Sequence, residues 1–211
     1  MARPSLTRRR LLGIDRSGGP PPETQKGQPL RPWTVPNAIS YVRLALLPVF
    51  LAVALSSGDG RSLTAAALYF AVAWGDQLDG LAARLTGQYS RLGALLDPLT
   101  DRALVLAGVV VCWHFELLPR WALAVLAARE LVMLVLTQVG LRAGMDLKIN
   151  MVGRWAVWPV MFAIFLAMIV DTWVATVSLY LGLALTLWAT AIYLADGYRF
   201  LQGRHRPSSS T

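Results

Sequence analysis

Charge is scarce in this sequence: Asp, Glu, Lys and Arg make up 15% of its 211 residues, against about a quarter in an average soluble domain. Cysteine is almost absent. The single Cys112 excludes an internal disulfide, and its place in an apolar run gives it the role of a small core residue. The start of the chain lacks the apolar run of a secretory signal: Arg8, Arg9 and Arg10 lead into a polar, proline-rich stretch. Residues 1–32 are therefore expected to be a disordered basic tail, and residues 204–211 a second, shorter one.

What the sequence has in abundance is apolar residues, 55% of the total, gathered in long runs. Six stretches stand out, at about 39–55, 63–85, 92–113, 121–141, 151–170 and 173–198. Each approaches the roughly 20 residues that cross a hydrocarbon core. Helices are expected, because a lone backbone has no water to bond there. Pro36 and Asn37 open the first stretch, with Asn37 as the expected cap. Gly58, Asp59 and Gly60 mark the turn to the second. The fold class is an all-α polytopic membrane protein, with six transmembrane helices in one catalytic domain over residues 33–203.

The net charge is +8, and the excess lies outside the apolar runs. That distribution is topology rather than nucleic-acid binding. Arg84 and Arg91 follow the second stretch, Arg142, Lys148 and Arg154 follow the fourth, and the opposite connections hold one Arg or none. Both termini and the basic loops are thus expected on the cytoplasmic side of the cell membrane, where basic tails also meet anionic headgroups. Trp33, Trp113, Trp121 and Trp173 fall near span ends, as interfacial Trp does. His114 is expected at the outer interface, and Gly182 is expected to serve helix packing.

The second and third stretches carry Asp76, Asp79, Asp97 and Asp101. A carboxylate at membrane depth is expensive unless it is paired or wet, so it points to function. Helical spacing puts Asp76, Asp79, Gly80 and Ala83 on one stripe, and Gly93, Asp97 and Asp101 on another. The short loop from Thr86 to Arg91 makes the two helices antiparallel neighbours, so the stripes can face each other. Four like charges repel; divalent cations cancel that repulsion, and an all-oxygen set suits Mg²⁺ or Mn²⁺. Small residues at 80, 83 and 93 leave room for a bulky ligand, and Arg84 is placed to hold a phosphate. Structural ion pairs with Arg84 and Arg102 are the plainer alternative, but cations are too few for the acids. A proton or ion pathway of a transporter stays open, as does a non-catalytic lipid-binding scaffold.

The run Asp76-Gln-Leu-Asp79-Gly80-Leu-Ala-Ala83-Arg84, eight residues, then Gly93-Ala-Leu-Leu-Asp97-Pro-Leu-Thr-Asp101 resembles the signature of the CDP-alcohol phosphatidyltransferases at every fixed position. The resemblance implies two Mg²⁺ or Mn²⁺ ions on Asp76, Asp79, Asp97 and Asp101, with Asp101 as the base that takes the acceptor's proton. It implies CDP contacts from Asp76, Gly80, Ala83, Arg84 and Gly93, and CDP-diacylglycerol and an alcohol as substrates. Family members are often dimers; no interface is legible here.

The segment from Thr34 to Arg43 and the triplet Ala128-Arg129-Glu130 resemble the branch holding phosphatidylglycerophosphate and cardiolipin synthases. The leading acceptor is glycerol-3-phosphate, with phosphatidylglycerol as its rival. Gly153-Arg154-Trp155 departs from the Gly-Lys-x-Lys-Thr run frequent in the first group. Arg43, Arg129, Lys148 and Arg154 are the cations expected to meet an acceptor phosphate. Arg43 and Lys148 have the alternative of snorkelling to headgroups. Arg129 and Glu130 are neighbours that point different ways and are not expected to pair.

Overall fold

A computed structural model describes residues 32–142 and 151–204. Lys148 and the tail segments 1–31 and 205–211 lie outside the described residues. Those described form six helices and no strand: α1 (Val35–Leu55), α2 (Leu63–Thr86), α3 (Arg91–His114), α4 (Arg120–Arg142), α5 (Met151–Ala167) and α6 (Trp173–Arg204). Each coincides with one of the six apolar stretches.

Local chemistry sets the helix ends. Thr34 is in extended conformation and its side chain accepts the Asn37 N–H, so Thr34 is the cap of α1. The cap was expected at Asn37. Pro36 explains the shift: proline is favoured in the first turn, where its missing N–H has no helical partner. Asn37 is left inside the helix, and its amide donates to the Pro32 carbonyl at 3.1 Å. Ser62 caps α2 by accepting from the Ala65 N–H. Gly87 ends α2 with φ 63°, a left-handed value that glycine takes without strain. Ser90 opens α3, its hydroxyl accepting the Gly93 N–H at 2.9 Å.

The described residues divide into two compact units, one of residues 32–58 with Ser62–Ala107, the other of Asp59–Arg61 with residues 108–142 and 151–204. In the first, α1 packs along α2. Leu47, Phe50, Ala54, Ala65, Tyr69 and Val72 are buried, and the rings of Phe50 and Tyr69 lie 5.4 Å apart. In the second, α5 packs on α6 with glycine at the contact. A Cβ added to Gly182 would lie 2.8 Å from the Val160 backbone nitrogen, so the two backbones touch only because no side chain intervenes.

Polarity is distributed against the habit of water-soluble proteins. Trp33, Leu63, Trp121, Trp173 and Trp188 are exposed, while Asn37, Ser40, Arg43, Asp79, Thr100 and Thr186 are buried. So much exposed apolar surface calls for a partner other than water. By length and composition, two of the described segments are able to cross a membrane: α1, and Trp173–Ala195 of α6. The sequence led us to expect six spans. The charges at Asp76, Asp79, Asp97, Asp101, Arg129 and Glu130 lower the apolar character of α2 to α4, and α5 has only 17 residues.

Candidate active site

The site is built in the first unit, where α1 supplies what the acid-bearing helices lack. Asn37, Ser40 and Arg43 recur every third residue and form one polar stripe on an otherwise apolar helix. All three are buried.

Arg43 is the centre of the cluster. Its side chain is 2% exposed. Nη1 donates to Asp79 Oδ2 at 3.0 Å and lies 3.5 Å from Asp76 Oδ1. Nη2 donates to Asp101 Oδ1 at 2.8 Å. Nε donates to the Val72 carbonyl at 2.9 Å, so the backbone of α2 fixes the plane of the guanidinium. Glycine at position 75 makes this possible, since a Cβ there would lie 2.8 Å from Arg43 Cδ and 2.9 Å from Cγ. The fourth acid, Asp97, is reached by Ser40, whose hydroxyl stands 3.2 Å from Asp97 Oδ1 and 3.3 Å from the Pro36 carbonyl.

A second tier braces the first. Ser90 donates to Asn37 Oδ1 at 2.7 Å, and the Gln88 side chain accepts the Val35 N–H at 3.0 Å. Both bonds tie the α2–α3 loop to the start of α1. Gly93 fits against this brace: an added Cβ would lie 2.7 Å from Asn37 Oδ1. Its small size admits Asn37, whereas the sequence had it leave room for ligand. At Gly80 an added Cβ would meet the Arg84 guanidinium at 3.6 Å, an ordinary contact, so among the described residues this position is less crowded than Gly93. Ala83 and Arg84 are half-buried beside it.

The cluster is open on one side. Asp79 is 5% exposed, while the side chains of Asp76 and Asp101 are 36% and 40% exposed. Asp76, Asp79 and Asp101 gather around one buried guanidinium, with Asp97 held beside them through Ser40. Desolvated negative charge with hard oxygen donors fits a divalent ion such as Mg²⁺ or Mn²⁺. Among the described residues no three acidic, His or Cys side chains are gathered tightly enough to ligate one ion as they stand; Arg43 lies among the carboxylates.

Of the expected acceptor cations, the structure brings Arg43 to the acids, buried rather than snorkelling outward. Arg129 and Glu130 correct the sequence reading, for they do pair: Arg129 Nη1 donates to Glu130 Oε1. Arg129 Nε also donates to Thr190 Oγ1 on α6 at 2.9 Å. A long guanidinium can fold back over its neighbour, and burial without a partner would be costly for either charge. Arg154 lies in the first turn of α5. Sequence reasoning passed over Ser40 and Gly75. The three-residue spacing of Asn37, Ser40 and Arg43 was the available signal for Ser40; nothing in the sequence singled out Gly75.

The chain is similar to known proteins over much of its length. A family model described as CDP-alcohol phosphatidyltransferase matches residues 33–188. A cardiolipin synthase (CMP-forming) of Streptomyces coelicolor is 36% identical over 202 residues, 90% of this chain and 93% of its own. A putative cardiolipin synthase of Mycobacterium tuberculosis is 35% identical, over 76% of this chain and 78% of its own. A CDP-diacylglycerol–glycerol-3-phosphate 3-phosphatidyltransferase of Bacillus subtilis is 31% identical, over 63% of this chain and 75% of its own.

Proposed function

Because the chain belongs to the CDP-alcohol phosphatidyltransferase family, we propose that its acid cluster joins the phosphatidyl group of CDP-diacylglycerol to a glycerol hydroxyl at the membrane. The protein is a CDP-diacylglycerol-dependent phosphatidyltransferase, an enzyme of phospholipid synthesis. The observation that carries the reading is the convergence of Asp76, Asp79 and Asp101 on one buried guanidinium.

The family generally depends on divalent metal. Asp76, Asp79, Asp97 and Asp101 would hold the ions, which when bound neutralise the diphosphate and make CMP a better leaving group. Arg84, folded over Gly80, is placed to bind a phosphate of the CDP group. Asp101 has one oxygen held by Arg43 and 40% of its side chain accessible, so it can receive the acceptor's hydroxyl proton. The acceptor oxygen then bonds to the phosphorus attached to diacylglycerol, and the phosphorus–oxygen bond to CMP breaks, its electron pair leaving with CMP. The apolar exterior supports six spans, and the basic loops support a site facing the cytoplasm.

Two acceptors suit this chemistry. Phosphatidylglycerol, giving cardiolipin, is favoured by the Streptomyces coelicolor relative, whose similarity extends over 90% of the chain. The departure at Gly153-Arg154-Trp155 favours it too. Glycerol-3-phosphate, which the sequence alone puts first, is favoured by the name of the Bacillus subtilis relative. The test is CMP release by purified protein in detergent with CDP-diacylglycerol and Mg²⁺ or Mn²⁺, each acceptor offered separately. Cardiolipin formed with phosphatidylglycerol alone establishes the first reading, and release with glycerol-3-phosphate alone the second. No release with either, from folded protein, overturns the proposal.

A further inference from the structure

The acid cluster contains a cation that the chain itself provides, and the manner of its attachment matters. A guanidinium that merely balanced charge would be held by carboxylates alone. Arg43 is held by more. Its Nε is fixed to the Val72 carbonyl at 2.9 Å, and its aliphatic stem lies in a notch that exists because residue 75 is glycine. The seat therefore belongs to the backbone of α2. It would persist if Asp79 or Asp101 turned to another ligand.

From this we infer that Arg43 is a permanent positioning residue of the metal centre, one that restrains how tightly the acid cluster binds divalent ions while holding Asp79 and Asp101 in register. The inference rests on the metal reading proposed above. Arg43 draws on the same carboxylate oxygens that an ion would use, at 3.0 Å and 2.8 Å, and its charge repels any ion among them. Without it, Asp79 and Asp101 would lose the cation that holds an oxygen of each. With it, a loaded centre carries one more positive charge, which favours a diphosphate.

Charge and geometry then predict opposite effects from one substitution. Removing the guanidinium tightens ion binding but loosens the acids that must be aligned for turnover. A residue serving stability alone would give no gain in ion affinity.

The experiment measures Mn²⁺ binding to full-length protein in detergent by electron paramagnetic resonance, with melting temperature recorded with and without Mn²⁺. Wild type, Arg43→Gln, Arg43→Lys and Gly75→Ala are compared. Arg43→Gln is expected to bind Mn²⁺ at least about tenfold more tightly than wild type. Its melting temperature without metal falls, and the rise on adding Mn²⁺ exceeds that of wild type. Arg43→Lys keeps the charge and stays within about threefold of wild-type affinity. Gly75→Ala alters no charge but displaces the arginine stem, so its Mn²⁺ affinity shifts toward that of Arg43→Gln; this arm decides the matter if Arg43→Gln does not fold. Unchanged or weaker Mn²⁺ binding in both Arg43→Gln and Gly75→Ala overturns the inference and leaves the metal reading standing. Absence of Mn²⁺ binding by wild type overturns the metal reading and the inference together.

Discussion

Ser90 and Asn37, 53 positions apart in the chain, share a 2.7 Å hydrogen bond in which the serine hydroxyl donates to the Asn37 side-chain oxygen. The same hydroxyl accepts the Gly93 N–H and so caps α3. One side chain thus sets the start of the helix that carries Asp97 and Asp101 and ties it to the helix that carries Arg43. Ser90→Ala removes both bonds. It is expected to lower stability by about 1–2 kcal/mol, read as a lower melting temperature in detergent. An unchanged melting temperature would show that the brace contributes nothing.

Asp101→Asn keeps a side-chain oxygen for Arg43 but cannot take a proton. CMP release is expected to fall by about 10²–10⁴-fold, with the melting temperature little changed. Turnover near the wild-type rate would move the role of base to another residue.

Ser40→Ala withdraws the hydroxyl 3.2 Å from Asp97. The carboxylate loses an orienting donor, not its charge. The expected outcome is about a tenfold or smaller loss of CMP release, from a net hydrogen-bond contribution of about 1 kcal/mol. A loss as deep as that of Asp101→Asn would mean that Ser40 takes part in the chemistry.

Gly182→Ala places a methyl group 2.8 Å from a backbone nitrogen, which cannot yield as a flexible side chain would. Overpacking of this kind costs about 1–3 kcal/mol. The melting temperature should drop, and Gly182→Val should lower it further. A neutral Gly182→Ala would show that α5 and α6 do not pack this closely in the membrane.

Arg129 and Glu130 form a buried pair with Thr190 as an added partner. Removing the guanidinium takes an opposite charge from the buried Glu130, so Arg129→Met is expected to destabilise, by up to about 3–5 kcal/mol. The double variant Arg129→Met with Glu130→Leu should regain most of that loss. The KM for acceptor in the double variant separates two roles. We expect it unchanged, because the guanidinium is engaged with Glu130 and Thr190; a rise of about tenfold or more would show Arg129 reaching the acceptor phosphate.

The helices were legible because their signal is repetitive. Long apolar runs and the turn at Gly58 to Gly60 located all six within a few residues. The acids were legible for a related reason: Asp76, Asp79, Asp97 and Asp101 are anomalous in apolar surroundings, and helical periodicity alone places each pair on one face. The end of α1 was misjudged by three residues, since Thr34 and Asn37 both suit a cap and Pro36 decided between them.

The sequence by itself determined an all-helical chain, four acids in facing stripes and the family to which they belong, because composition and spacing act over a few turns. Only the tertiary structure decided that Arg43 joins those acids. Arg43 stands 58 residues from Asp101, and no spacing within one helix brings it there. It does so because α1 lies along α2, glycine at position 75 leaves a seat for its stem, and the Val72 carbonyl fixes its plane. Such a fit depends on close packing between distant segments, which periodicity within one helix does not encode.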